Sequence, residues 1–206
     1  MNFAIERLKF RDVVLVRGKR FEDPRGYFME TWSADAFQKL GIAGGFVQDN
    51  QSLSSQAATV RGLHFQTPPF AQAKLVRVLR GSVYDVVVDL RVGSPTYGDW
   101  CGTILSADEP EQLYIPKGFA HGFATLQPDT IIAYRVDAPY APACDAGIFW
   151  NDPAIGIDWP FDAARAVLSA KDAALPRLAD IASPFVFGHD NVVETVQRRP
   201  AMPRPA

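Results

Sequence analysis

From residue 60 to residue 137 almost every local signal is for β-structure, and this constrains the fold more than any other feature. Short runs rich in Val, Ile and aromatics are broken by Arg80-Gly81, Gly93-Ser94-Pro95, Asp108-Glu109-Pro110 and Gln127-Pro128-Asp129. Short apolar runs between such turn signals predict an antiparallel sandwich or barrel. No helical pattern alternates with them, which argues against a doubly wound parallel sheet. Within this region, residues 61–91 read RGLHFQ, TPPFAQAK and LVRVLRGSVYDVVVDLR. Alternation places Lys74, Val76 and Val78 on one face of a strand. A cation leading an apolar inner face is costly unless something anionic meets it. This strand is therefore read as the wall of a binding cavity.

The flanking segments build the other sides. Residues 3 to 17 alternate loosely between apolar and charged, as an edge strand would. Phe21 to Gly26 is turn chemistry, opened by Asp23-Pro24 and closed by Gly26. Tyr27 to Trp32 reads as a short aromatic strand. Ser33 to Leu40 is the clearest helix, with Ser33 as N-cap, Asp35 in the first turn, Lys39 in the last and Gly41 just beyond. FVQDNQS is an extended polar segment holding Gln48, Asn50 and Gln51. Pro116-Lys117-Gly118 turns the chain into FAHGFATL, which places His121. TIIAYRV is a strand with Ile132, Tyr134 and Val136 on one face. FWNDPAIGIDWP reads as a loop, and LSAKDAALP as a short helix capped by Ser169 and ended by Pro176.

A chain of 206 residues suits one domain with a full core. No internal repeat or linker divides it, so residues 1–185 are read as a single domain. Residues 186–206 are read as a C-terminal tail, disordered in part, with Arg and Pro dense from Gln197 onward. The formal net charge of -2 argues against nucleic acid as the main partner. It leaves room for a local basic pocket facing one small anion. Two cysteines, Cys101 and Cys144, lie far apart and in no CxxC, as in a cytoplasmic protein with free thiols. The N-terminus shows no signal peptide, and no membrane span is visible. Three histidines, His64, His121 and His189, form no HxH pair, a poor set for a metal site.

RGLHFQ, DVVVDLRVGSPTYGDW, IPKGFAHGF, the Tyr of AYRV, WNDP and LSAKD occur in one order. Together, from about Phe10 to about Pro176, they closely resemble the dTDP-4-dehydrorhamnose 3,5-epimerase family. The resemblance implies an all-β fold: a cupin-type jelly roll, an antiparallel β-sandwich with a few short helices. It further implies an isomerase working without metal or organic cofactor, a cytoplasmic homodimer, and a dTDP-4-keto-6-deoxy sugar as substrate. Epimerisation beside the ketone needs a base on one face, an acid on the other and a group to hold the enolate oxygen.

His64 is the candidate base: a free imidazole titrates near ~6.5, so a neutral fraction is available at cell pH. It shares a strand face with Gly62 and Gln66, away from Leu63 and Phe65. The plainer alternative is a core histidine satisfied by backbone. By resemblance Asp172 would orient His64; on its own it reads as a helix-start carboxylate. Tyr134, by resemblance the acid, would otherwise be a tyrosine packed in a β core. Lys74 is the candidate enolate stabiliser, where losing one preorganised donor typically costs about 3–4 kcal/mol in the barrier. Its alternative is a strand-edge lysine reaching water. By resemblance His121 lies in the sugar pocket, although its Gly-Phe setting also suits a structural role.

Arg25 and Arg61 match the family's phosphate-contacting arginines. A strict two-residue period sends Arg61 to the face opposite His64, so both can line the site only if the backbone bends, for which Gly62 is suited. Lys171 would add to diphosphate binding. Gln48, Asn50 and Glu30 would hold the nucleotide, and Tyr140 would stack on the thymine. Taken singly, each of these is an ordinary exposed polar residue. Gln51 stands where the family has His, Asp145 where Glu is common, and Phe65 where Tyr is frequent. These departures leave open inversion at both carbons or at C3 alone, and a non-catalytic sugar-nucleotide binding module is the alternative of another class.

Overall fold

The computed structural model describes residues 2–42 and 45–188. Thirteen strands run in chain order among them: β1 (Phe3–Arg7), β2 (Val14–Gly18), β3 (Arg20–Asp23), β4 (Gly26–Met29), β5 (Gln48–Ser54), β6 (Val60–Gln66), β7 (Lys74–Arg80), β8 (Ser82–Asp89), β9 (Trp100–Ser106), β10 (Glu111–Ile115), β11 (Phe119–Thr125), β12 (Thr130–Val136) and β13 (Asp145–Gly147). Two short helices, α1 (Ala34–Lys39) and α2 (Ala170–Ala173), complete the regular structure with three single 3₁₀ turns. One sheet has the order β1-β2-β10-β7-β12-β5 and the other β13-β6-β11-β8-β9, while β3 and β4 form a separate hairpin. Every paired strand is antiparallel. Consecutive strands β7 and β8 lie in different sheets, so the Arg80-Gly81 turn closes one end of a jelly-roll sandwich. Gly81 has φ +78, and a Cβ there would fall 2.5 Å from Thr130 Oγ1.

The apolar side chains sort into three layers. Between the sheets lie Val76, Val83, Val87, Leu105, Leu113 and Ile132. Outside the six-stranded sheet, Phe37 of α1 packs with Phe3, Val16 and Leu75. Ser33 caps this helix by accepting from Ala36 N, and Gly41 follows it with φ +77. Outside the five-stranded sheet, Val86, Val88, Ala120 and Ala124 meet Trp150, Ile155, Ile157 and Trp159. Residues 149–160 are thus irregular, as FWNDPAIGIDWP predicts, but they are also a core layer. Covered on both faces, β11 is buried along its whole length and β8 nearly so.

Two local expectations need correction. The loose alternation over residues 3–17 belongs to two strands rather than one. The chain reverses between them because Phe10 and Val13, both buried, tuck the turn into the sandwich end. The aromatic strand expected to reach Trp32 stops at Met29, and it faces solvent: Tyr27 and Phe28 are exposed on the hairpin. The tail lies outside the described residues from His189 onward. Among the described residues no helix is long and apolar enough to cross a membrane, and Cys101 and Cys144 are both free.

Candidate active site

A cavity of about 270 Å³ opens into the sandwich between the two sheets. The six-stranded sheet lines it with Lys74 and Val76 from β7, Ile132 and Tyr134 from β12, and Ser52 from β5. The other wall is Arg61 and His64 of β6 with His121 and Phe123 of β11, and Lys171 and Asp172 of α2 with its cap Ser169 close the side. The alternation read for β7 and β12 therefore holds.

Arg61 and His64 face one cavity despite their odd spacing, and the backbone explains it. His64 pairs with His121 but Arg61 pairs with Phe123, so β6 carries one extra residue between the pairs. Gly62 supplies the bend at φ +128, and a Cβ there would meet Gly122 Cα at 2.6 Å. Only glycine fits both the conformation and the contact.

His64 Nε2 lies 2.5 Å from Asp172 Oδ1. An ionised carboxylate only accepts, so Nε2 carries a proton, and in the neutral ring Nδ1 keeps a lone pair. Ser169 caps α2 by accepting from Asp172 N, which fixes the carboxylate in place. Burial is the largest single influence and works against the Asp172 charge, but the bond and charge of His64, the bond to Ser169 and the charge of Lys171 together outweigh it and hold its pKa below the usual carboxylate value. Burial pushes the Tyr134 phenol up, with Arg61 opposing, so the hydroxyl keeps its proton at neutral pH. Lys74 Nζ donates to the His64 carbonyl at 3.3 Å. Desolvation brings its pKa down to about 8, against the pull of Asp85 and Asp145.

His121 is buried, with Nε2 at 2.9 and 3.0 Å from the two oxygens of Asp85. Desolvation lowers its pKa, so the ring is neutral. Asp85 belongs to no candidate set in the sequence, yet one signal was there. In SVYDVVVDL it shares a face with Val83 and Val87, and a carboxylate on that face needs a partner.

At the cavity mouth, Asp145 accepts from Tyr140 Oη at 3.0 Å and pairs with Lys171. Tyr140 is exposed, and its amide donates to Gln48 Oε1 at 3.1 Å. Gln48 in turn donates to Asn50 Oδ1 at 2.8 Å. Gln48, Asn50 and Ser52 share one face of β5; Ser52 lines the cavity, and Asn50 also borders an outer groove. Gln51 takes the opposite face, in an outer groove with Asp49, Arg77 and Arg135. The departure at Gln51 therefore lies away from the cavity, whereas Asp145 is at its rim. Phe65 faces away too, packed on Phe185 with ring centroids 5.7 Å apart.

Gln48, Asn50, Tyr140 and Asp145 do not line the cavity themselves but join it through the Asp145–Lys171 pair, and Arg25 and Glu30 are not brought to it at all. Arg25 sits at the tip of the β3–β4 hairpin, its side chain 90% exposed and paired with Asp23 at 2.5 Å. Glu30 accepts from Asn2 at 3.2 Å. Among the described residues no three His, Cys, Asp or Glu side chains gather as metal ligands; His189 lies outside them.

A family model described as dTDP-4-dehydrorhamnose 3,5-epimerase matches residues 7–180. A dTDP-4-dehydrorhamnose 3,5-epimerase of Sinorhizobium fredii is 51% identical over 182 residues, 88% of this chain and 93% of the relative. The crystal structure of the Bacillus anthracis enzyme with TDP and PPi bound is similar at TM-score 0.82 and 47% identity, covering 85% of this chain and 99% of that one. The Legionella pneumophila enzyme in complex with dTDP-4-keto-L-rhamnose gives TM-score 0.83 and 42% identity, over 87% and 95% of the two chains.

Proposed function

The chain belongs to the dTDP-4-dehydrorhamnose 3,5-epimerase family, and on that premise we propose how its residues invert C3 and C5 of dTDP-4-dehydro-6-deoxy-D-glucose to give dTDP-4-dehydro-L-rhamnose. It is an isomerase. One observation carries the assignment of roles: an imidazole steered by a carboxylate, a protonated phenol and a half-buried ammonium line a single cavity.

His64 Nδ1 removes the proton beside the ketone, and Asp172 stabilises the imidazolium that forms. The electron pair moves onto the ketone oxygen, which Lys74 receives as an oxyanion. Tyr134 then delivers its hydroxyl proton to the opposite face of the same carbon. One proton has moved onto His64 and one has left Tyr134, so solvent resets the pair before the second carbon reacts. Arg61 and Lys171 bind the diphosphate, and Gln48, Asn50 and Tyr140 hold the nucleoside at the mouth. No metal or organic cofactor is needed for these steps.

The proposal includes a cytoplasmic homodimer built from a single domain over residues 1–185. The exposed Phe21, Tyr27 and Phe28 of the hairpin support a second copy as cover. With that cover, Arg25 and Glu30 would serve the partner's cavity. The free thiols of Cys101 and Cys144 support the location.

The test is turnover of dTDP-4-keto-6-deoxyglucose in heavy water, read by proton NMR. Deuterium is expected at both C3 and C5. Uptake at neither carbon by folded protein that binds dTDP would end this reading, and uptake at C3 alone would reduce it to a 3-epimerase.

A further inference from the structure

We propose that Asp85 is a positioning residue of this site. Its carboxylate closes over His121 Nε2 with both oxygens, fixing the tautomer that His121 presents to the sugar. The same carboxylate supplies the counter-charge that keeps Lys74 an ammonium within a wall of valines. The inference rests on the epimerase reading above and adds to it the division of labour on the cavity floor.

The geometry leads to this directly. Asp85 is 1% exposed and His121 7%, so neither group reaches solvent for hydration. A buried carboxylate is tolerated only when paired and hydrogen-bonded. Because it only accepts, the nitrogen facing it carries the hydrogen, and His121 Nδ1 is left as a lone pair. A lone pair cannot hold an oxyanion. His121 therefore takes a sugar hydroxyl, and the ketone oxygen falls to Lys74.

Lys74 must then stay charged where desolvation works against it. The charges facing it come from several elements. Asp85 on β8 and Asp145 on β13 favour its proton, with Asp85 the stronger of the two, and Lys171 on α2 opposes it. Arg61 and His64 on β6, His121 on β11, the Tyr134 phenol on β12 and Asp172 on α2 share the cavity. Of the two acids, Asp145 already pairs with Lys171 at the rim. Asp172 is taken up by His64. Asp85, bonded to the cavity residue His121, is the acid that remains.

Asp85→Asn tests this, because an amide oxygen still accepts from His121 while the charge is gone. The alkaline limb of kcat/KM for C3 and C5 exchange is expected to move down by roughly one pH unit or more. Activity at pH 8 should fall about tenfold, and near pH 6 it should return to within about threefold of the parent. The dTDP affinity should not change. A limb at the parent's position, or an equal loss at every pH, overturns the proposal. Long-range ¹⁵N NMR of the His121 ring in the full chain supplies a readout free of turnover. The parent must show the Nε2–H tautomer, and an Nδ1–H ring overturns the proposal even if the activity profile shifts. If the parent itself exchanges neither carbon, the epimerase reading has failed; a parent that exchanges normally while the variant keeps its limb condemns Asp85 alone.

Discussion

The cavity floor and the β3–β4 hairpin hold residues of one family pattern in opposite physical states. On the floor, His64 and His121 are each bonded to a buried carboxylate of this chain, and Lys74 donates to the His64 carbonyl. On the hairpin, Arg25 is bonded to its own neighbour Asp23 and otherwise faces water, as do Tyr27 and Phe28. The contrast shows what burial does. A proton can be steered and a charge tuned only where water has been displaced by fixed dipoles and charges. The floor achieves this within one chain, whereas the hairpin side chains stand in water.

The largest expected effects lie on the floor. His64→Ala should lower C3 and C5 exchange by about 10³-fold or more while leaving dTDP binding intact, measured by NMR exchange and calorimetry. Retained exchange would remove the floor's claim to be the reacting centre. Lys74→Met should cost roughly 10²-fold in kcat, with KM nearly constant, if the ammonium meets charge only in the transition state.

The same substitution carries a stability prediction of the opposite sign. The Lys74 pKa is depressed to about 8 in the folded chain from 10.5. The folded state therefore holds fewer protons than the unfolded state between those values, and parental stability rises with pH across that window. Below pH 8 both states are protonated, and the fold carries the full cost of a desolvated ammonium. At pH 7 the Met variant should be more stable by roughly 1–3 kcal/mol in urea unfolding. That margin should shrink towards pH 10. The parent's kcat/KM should also fall above about pH 8, as the ammonium is lost.

How far each region can be read in the sequence follows from the same contrast. β7 and β12 obey a two-residue period, so the inward row of Lys74, Val76, Ile132 and Tyr134 was legible. β6 breaks the period at Gly62. The meeting of Arg61 with His64 could be posed as a condition on that glycine, but local pattern alone did not fix it. Asp172 lies 108 residues from His64, and no periodicity links a short helix to a distant strand. The family resemblance supplied that pair. Asp85 stands on the same strand face as Val83 and Val87, which calls for a partner, but the period does not say which residue across the sheet supplies it. The core role of residues 149–160 was hidden for a different reason. Pro and Gly mark an irregular backbone correctly, but they say nothing about which side chains it buries.

The smallest expected effect comes from the hairpin, and it decides whether the contrast is real. Arg25→Ala should raise KM by about tenfold, with kcat within about twofold, as for a charged hydrogen bond to phosphate lost equally from ground and transition states. Direction alone does not say whose cavity the arginine serves. Co-purified hybrids of His64→Ala and Arg25→Ala subunits do. In a dimer whose hairpins cross over, the Arg25→Ala subunit keeps its His64 and borrows Arg25 from its partner. Half the cavities in the hybrid should then return to the parental KM. If the hybrid shows only the raised KM, the hairpin serves its own chain, and the exposure seen here reflects an open state of the same cavity rather than a missing subunit. A KM unmoved in the single variant would take Arg25 out of substrate binding altogether and leave the hairpin's aromatics as its only function, an apolar cover for a neighbouring copy.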